Sequence, residues 1–239
     1  MINIFKPIFF IIGTIIRAFD IPIKQGGFKI RFPKIMTNWE LGSTLISEYE
    51  KDERKLIVKY MKPDDSVLEM GACIGVVSLT INKILLDKTK QVSIEPNPQM
   101  HEYLYTNREN NNGFFNIETC IISKLNKVDF FIGGKAFLGS STLNGEEKIE
   151  IPGKSFQKIT DEYFEFTVIV MDIEGGELEF FRSFDLTSSK VRLIIWETHL
   201  STNMLTEKDL NECYEKLNAQ GFHLEEKSAN VEAWIRDVK

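Results

Sequence analysis

The chain of 239 residues lacks most features that would mark a secreted, metal-clustered or nucleic-acid-bound protein. Its three cysteines, Cys73, Cys120 and Cys213, stand far apart, and no pair has the CxxC spacing of a zinc or redox site. Scattered, unpaired thiols fit small buried side chains in a reducing compartment, so the cytoplasm is the expected location. Acidic residues (35) outnumber basic ones (29), and no Lys/Arg run occurs, so the electrostatic footprint of a nucleic-acid partner is missing. No apolar stretch reaches the roughly 20 residues that span a bilayer. The longest, residues 8–16, lies between Lys6 and Arg17 and has no small-x-small cleavage site behind it, which argues against a secretory leader. It reads as a helix docked on the domain or between copies in a homo-oligomer. Peripheral membrane contact through residues 1–19 is the alternative use.

What the chain does have is alternation. Residues 20–42 read as turns and short extended pieces, and 45–61 as a helix ended by Pro63-Asp64-Asp65. Strands are expected at 66–70, 91–95, 116–122, 167–172 and 191–197, with helices at 76–86, 98–110 and 177–184 between them. Asn111-Asn112-Gly113 supplies a left-handed C-cap to the second of these helices. Thr206 and Asp209 form a capping box for a helix to Gln220, and 222–226 with 231–235 form a terminal hairpin. The pattern predicts a doubly wound, Rossmann-like α/β fold with a mostly parallel seven-stranded sheet and a C-terminal antiparallel hairpin. Residues 1–44 form an extension, and 45–239 one domain. Segment 124–166 breaks the rhythm with strands near 129–132 and 148–151 around a loop at 133–141. A loop this long suggests a substrate-covering element.

The first strand-turn-helix reads Val67-Leu68-Glu69-Met70-Gly71-Ala72-Cys73-Ile74-Gly75. Glycines after a first strand allow close backbone approach at the edge where doubly wound sheets bind ligands. Glu95 ends the second strand twenty residues beyond Gly75, where a carboxylate can accept both hydroxyls of an adenosine ribose. A dinucleotide fingerprint would place glycine at 73, where Cys73 stands, so a ligand without pyrophosphate is favoured. S-adenosylmethionine is such a ligand, and its sulfonium and ammonium suit Glu69 and the acidic surroundings.

In order along the chain, these pieces resemble the FkbM-type methyltransferases. Tyr49-Glu50 precedes a helix, and the 67–75 segment is similar to the family's opening loop. Glu95-Pro96-Asn97-Pro98 is similar to its ribose-binding segment, and Ser140-Ser141 to a small-residue motif. Met171-Asp172-Ile173-Glu174-Gly175-Gly176-Glu177 resembles the Asp-Val-Glu-Gly-Ala-Glu signature, and Trp196-Glu197-Thr198-His199 the late Glu-x-His. The resemblance spans about residues 45–200, with two departures: Cys73 for the usual Asn, and Met171 for a common Lys. It implies S-adenosylmethionine as cofactor and a hydroxyl of a sugar, glycan or small natural product as acceptor. The expected cofactor-binding set is Glu69, Gly71, Ala72, Cys73, Gly75, Glu95, Pro96, Asn97, Ser123 and Asp172.

Methyl transfer to oxygen is an in-line displacement in which positioning can supply about 7–11 kcal/mol and a base about 10²–10⁴-fold. Asp172, Glu174, Glu197 and His199 fall at the ends of the fourth and fifth strands, where that base should sit. Strand alternation pairs Glu197 with His199 and Asp172 with Glu174. His199 is a candidate base near neutral pH. The same four could hold a divalent cation, but no metal is assigned. His101 and His223 read as structural, and Phe137, Phe156 and Trp196 as aromatics that could line a sugar cleft. The competing readings are a nicotinamide-dependent oxidoreductase, disfavoured by Cys73, and a non-catalytic binding protein on the same fold.

Overall fold

The computed structural model describes residues 6–132, 139–140, 147–202 and 205–237. Helix α1 (Lys6–Ala18), the hairpin β1 (Ile23–Gln25) and β2 (Phe28–Ile30), and α2 (Asn38–Ser43) come first, followed by α3 (Lys51–Tyr60). Then β3 (Val67–Met70), α4 (Val76–Ile84), β4 (Gln91–Ile94), α5 (Pro98–Asn110) and β5 (Asn116–Glu118) alternate. An insert follows: β6 (Ile121–Ile122), β7 (Lys127–Ile132), β8 (Gly139–Ser140), β9 (Glu147–Lys154) and α6 (Phe156–Glu162). The chain closes with β10 (Val168–Met171), α7 (Glu177–Ser183), β11 (Leu193–Glu197), α8 (Glu207–Ala219), β12 (His223–Ser228) and β13 (Val231–Ile235).

Seven strands make the main sheet in the order β12-β13-β11-β10-β3-β4-β5. From β11 to β5 every pairing is parallel, and β13 runs antiparallel to both neighbours, as the terminal hairpin requires. The strand order reverses between β3 and β10, which are paired in register from Val67↔Val168 to Met70↔Met171. Their carboxyl ends therefore open a crevice at the topological switch point. Both strands are buried along their whole length, which is why β10 reads as an unbroken apolar run.

Three departures from the sequence pattern have physical causes. The helix expected over 45–61 begins only at Lys51, because Glu50 takes a left-handed conformation (φ +51°) ahead of it. The strand expected over 116–122 is two strands: β5 stays in the main sheet, while β6 leaves to pair with β9. In the insert, β9 also pairs antiparallel with β7, and an unforeseen helix, α6, starts where the Ser155 side chain accepts from Lys158 N–H. Within the 133–141 loop, Phe137 and Ser141 lie outside the described residues, and Ser140 is described only as part of β8.

Packing runs across the expected boundary between residues 44 and 45. Ile16, Ile23, Ile30 and Leu41 share one apolar cluster with Ile74, Val76, Leu79 and Leu104. Helices α1 and α2 touch backbone to backbone: a methyl at Gly13 would sit 1.7 Å from the Asn38 carbonyl oxygen. Among the described residues no helix is long and apolar enough to cross a membrane.

Candidate active site

The crevice at the ends of β3, β4 and β10 is a cavity bordered by Gly71, Cys73, Glu95, Pro96, Ser123, Asp172 and Glu174, all expected from the sequence. Tyr49, Glu50, Phe130 and Glu179 complete its polar and aromatic lining. Among the described residues, no Lys, Arg or His borders it, whereas five carboxylates do.

The glycines are there for the protein itself. Gly71 has φ +91°, and a methyl at this position would lie 1.7 Å from the Asp172 carbonyl oxygen. Its N–H and that of Ala72 both donate to the Ile94 carbonyl, at 3.0 and 2.9 Å. Gly75 (φ +88°) is the N-cap of α4 and faces Leu104. The strand ends thus need glycine to approach each other, and Gly75 lets α4 start directly behind β3.

Cys73, between them, is left-handed (φ +48°), a conformation that asparagine tolerates better than most residues. That conformation suits the Asn that the family resemblance expects here. The Cys73 N–H donates to Glu95 Oε2 and the Asn97 N–H to Oε1, both at 2.7 Å. Two backbone donors thus aim the carboxylate while each oxygen keeps a lone pair for a hydroxyl. Burial pushes the Glu95 pKa up to about 7, against the pull of those two donors.

Four expected cofactor contacts do not border the cavity. Ala72 packs in the core, Gly75 caps α4, and the Asn97 side chain accepts from Gln99 N–H as the N-cap of α5. Glu69 is the larger correction. It is paired across the sheet with Ser93, and its Oε2 accepts from Ser93 Oγ at 2.5 Å and Gln91 Nε2 at 3.4 Å. Alternation along β3 could fix that Glu69 shares a face with Val67, but not which face meets the ligand. Burial raises its pKa to about 7, with hydrogen bonds led by Ser93 opposing.

Beyond β10 and β11 the expected catalytic residues come together, although not by strand alternation. β10 ends at Met171, and Glu174 is left-handed (φ +45°); β11 ends at Glu197, and His199 opens a short 3₁₀ turn. His199 is buried behind the cavity wall. Its Nε2 lies 3.1 Å from Asp172 Oδ1 and 3.4 Å from Glu174 Oε2, and its Nδ1 lies 2.5 Å from Glu177 Oε1. Burial alone would pull the imidazole pKa down, but the carboxylates of Asp172 and Glu177 outweigh it and push it up to about 11. That environment favours the charged imidazolium over the neutral base expected from its reference pKa. Burial raises Glu174 to about 7 despite the nearby imidazolium. Glu197 turns aside to accept from Asn230 Nδ2, and burial together with Asp172 raises its pKa. Glu177 is fully buried and carried no signal of this role in the sequence, because it meets His199 only through the fold.

Asp172, Glu174 and His199 offer donor atoms within 4.8 Å of one another, an oxygen and nitrogen set that could also take a divalent cation. Trp196 and Phe156 belong to the core, packed on Phe181 and Phe166 respectively, so the cavity's aromatics are Tyr49 and Phe130 instead. His101 bonds the Glu95 carbonyl and His223 stands in an edge strand, both structural positions.

A doubly wound sheet with Glu95 at the end of β4, beside a cavity bordered by five carboxylates, is the architecture of Rossmann-like methyltransferases. The methyltransferase FkbM domain matches residues 69–224, and the chain belongs to that family. S-adenosylmethionine is its methyl donor. Among solved structures, the precorrin-6y C5,15-methyltransferase of Geobacter metallireducens is similar at TM-score 0.51 and 12% identity, covering 90% of this chain and 98% of that one. A fibrillarin/Nop5p complex chain is similar at TM-score 0.50 and 13% identity, covering 76% and 79%. These likenesses concern the fold. No curated protein matches the chain.

Proposed function

We propose that the protein methylates a hydroxyl of a sugar, glycan or small natural product, with Asp172 taking the acceptor proton. The observation that carries this reading is the position of Asp172, which borders the same cavity as Glu95 while its carboxylate touches the buried His199 cation. When bound, S-adenosylmethionine supplies a methyl group already activated on a positive sulfur. Glu95 would take the ribose hydroxyls, and the carboxylates of the wall would favour the ligand's positive charge over a pyrophosphate. An acceptor hydroxyl held beside Asp172 would give its proton to that carboxylate as its oxygen took the methyl group. His199, anchored by Glu177, holds Asp172 and Glu174 in place, which makes it a positioning residue.

The test is transfer of labelled methyl from S-adenosylmethionine to a panel of sugars and hydroxylated small molecules, with the product linkage identified. An O-methyl product is expected, and Asp172→Asn should lower turnover at least about 100-fold with S-adenosylhomocysteine affinity within threefold of wild type. Methyl found on nitrogen or carbon, or full turnover by Asp172→Asn, overturns the proposal. Chelator-sensitive activity restored by magnesium would reassign His199 from cation to metal ligand.

A further inference from the structure

Helix α1 is apolar nearly all round. One stripe, Phe9, Gly13 and Ile16, is buried against the rest of the fold. The opposite side is open to solvent yet carries Phe10 (54% exposed), Ile11 (59%) and Ile15 (48%), and the helix contains no acidic residue. A surface helix in water normally turns charged residues outward. The apolar surface continues past the helix end with Phe19, 76% exposed, and Ile21.

Charge is segregated in the same region. Residues 1–44 hold six basic side chains against two acidic ones, on a chain whose net formal charge is −6. Three of the six, Arg17, Arg31 and Lys34, border a separate cavity of about 330 Å³ at the end of α1, beside Tyr103. Asp20 answers one of them through a 2.7 Å ion pair with Arg31, and Glu102 also borders the cavity, which leaves one cation in excess; the buried Arg31 Nε has no acceptor. A bilayer bearing anionic headgroups satisfies the apolar face and the cations together.

We infer that α1 and the basic segment behind it form a docking surface for an anionic phospholipid membrane, with α1 lying in the interface plane. Phe10, Ile11 and Ile15 would enter the acyl boundary while Lys6, Arg17 and Lys34 meet the headgroups. The inference is independent of the acceptor proposed above, since none of these residues borders the catalytic cavity.

The experiment is flotation of the full chain with vesicles of phosphatidylcholine alone or with about one third phosphatidylglycerol, alongside solution mass by light scattering. Binding to the anionic vesicles, weakened by salt, is expected. Ile11→Glu/Ile15→Glu and Lys6→Glu/Lys34→Glu should each lower it at least about tenfold. All four substituted residues are solvent-exposed, so folding should survive, and unchanged S-adenosylhomocysteine binding would check it. No binding to anionic vesicles, equal binding to both compositions, or a solution dimer that Ile11→Glu/Ile15→Glu dissociates would overturn the inference.

Discussion

Glu69 is a buried carboxyl with no cation in contact, held by Ser93 and Gln91. Its pKa of about 7 in the fold, against an ordinary 4.5, makes it harder to ionise folded than unfolded. Such a group adds stability that is complete below pH 4.5 and is lost as pH rises through about 7. At about 1.4 kcal/mol per pH unit, the full loss is about 3 kcal/mol, of which about 2 kcal/mol falls between pH 5.5 and 8. For a domain of this size, 1 kcal/mol moves the melting temperature by about 2–4 °C. The protein without ligand should therefore melt several degrees higher at pH 5.5 than at pH 8. Glu69→Gln keeps an acceptor for Ser93 and removes one of three such titrations, Glu95 and Glu174 being the others, so it should reduce this slope and raise the melting temperature at pH 8. Scanning calorimetry of both proteins at pH 5.5, 7 and 8 is the assay. A variant as pH-sensitive as wild type, or less stable at pH 8, would refute the assignment of a raised pKa to Glu69.

Three further outcomes follow from the site. Gly71→Ala should destabilise by more than about 3 kcal/mol, because its methyl would overlap the Asp172 carbonyl oxygen at 1.7 Å; a soluble variant with wild-type melting would contradict this. Glu95→Ala should weaken S-adenosylhomocysteine binding by at least about tenfold, the loss of one charge-assisted hydrogen bond. Wild-type affinity should also fall as pH drops below about 7, since ribose hydroxyls need the ionised carboxylate; calorimetry showing a pH-independent Kd would count against a ribose on Glu95.

Where local chemistry fixes an element, the sequence was enough to place it. α5 runs from Pro98 to Asn110 as read, because Asn97 caps one end and left-handed Asn112 closes the other. α8 follows from the Thr206–Asp209 capping box, and β10 and β11 from apolar runs buried on both faces. The site was legible to the extent that it sits at strand ends: Gly71, Cys73, Glu95, Ser123, Asp172 and Glu174 all border the cavity. What escaped depends on distant partners. Nothing near Glu50 announces a left-handed turn, and nothing within β3 says that Glu69 faces Ser93. The charge state of His199 is set by Asp172 and by Glu177, the latter twenty-two residues away in sequence and 2.5 Å away in space.

The backbone around the cavity carries its own argument. Six described residues other than glycine have positive φ. Asp20, Asn112 and Ala229 stand at helix ends or a hairpin tip, where such turns are routine. The other three, Glu50, Cys73 and Glu174, come from separate parts of the chain, yet all border the same cavity. Each costs on the order of 1–2 kcal/mol that glycine would spare. A sequence serving stability alone would place glycine there, as it does at the adjoining Gly71, Gly75 and Gly175. Keeping side chains at these three turns places two carboxylates and a thiol at the wall of that cavity. The strain lies where an active site needs its groups fixed before the ligand arrives.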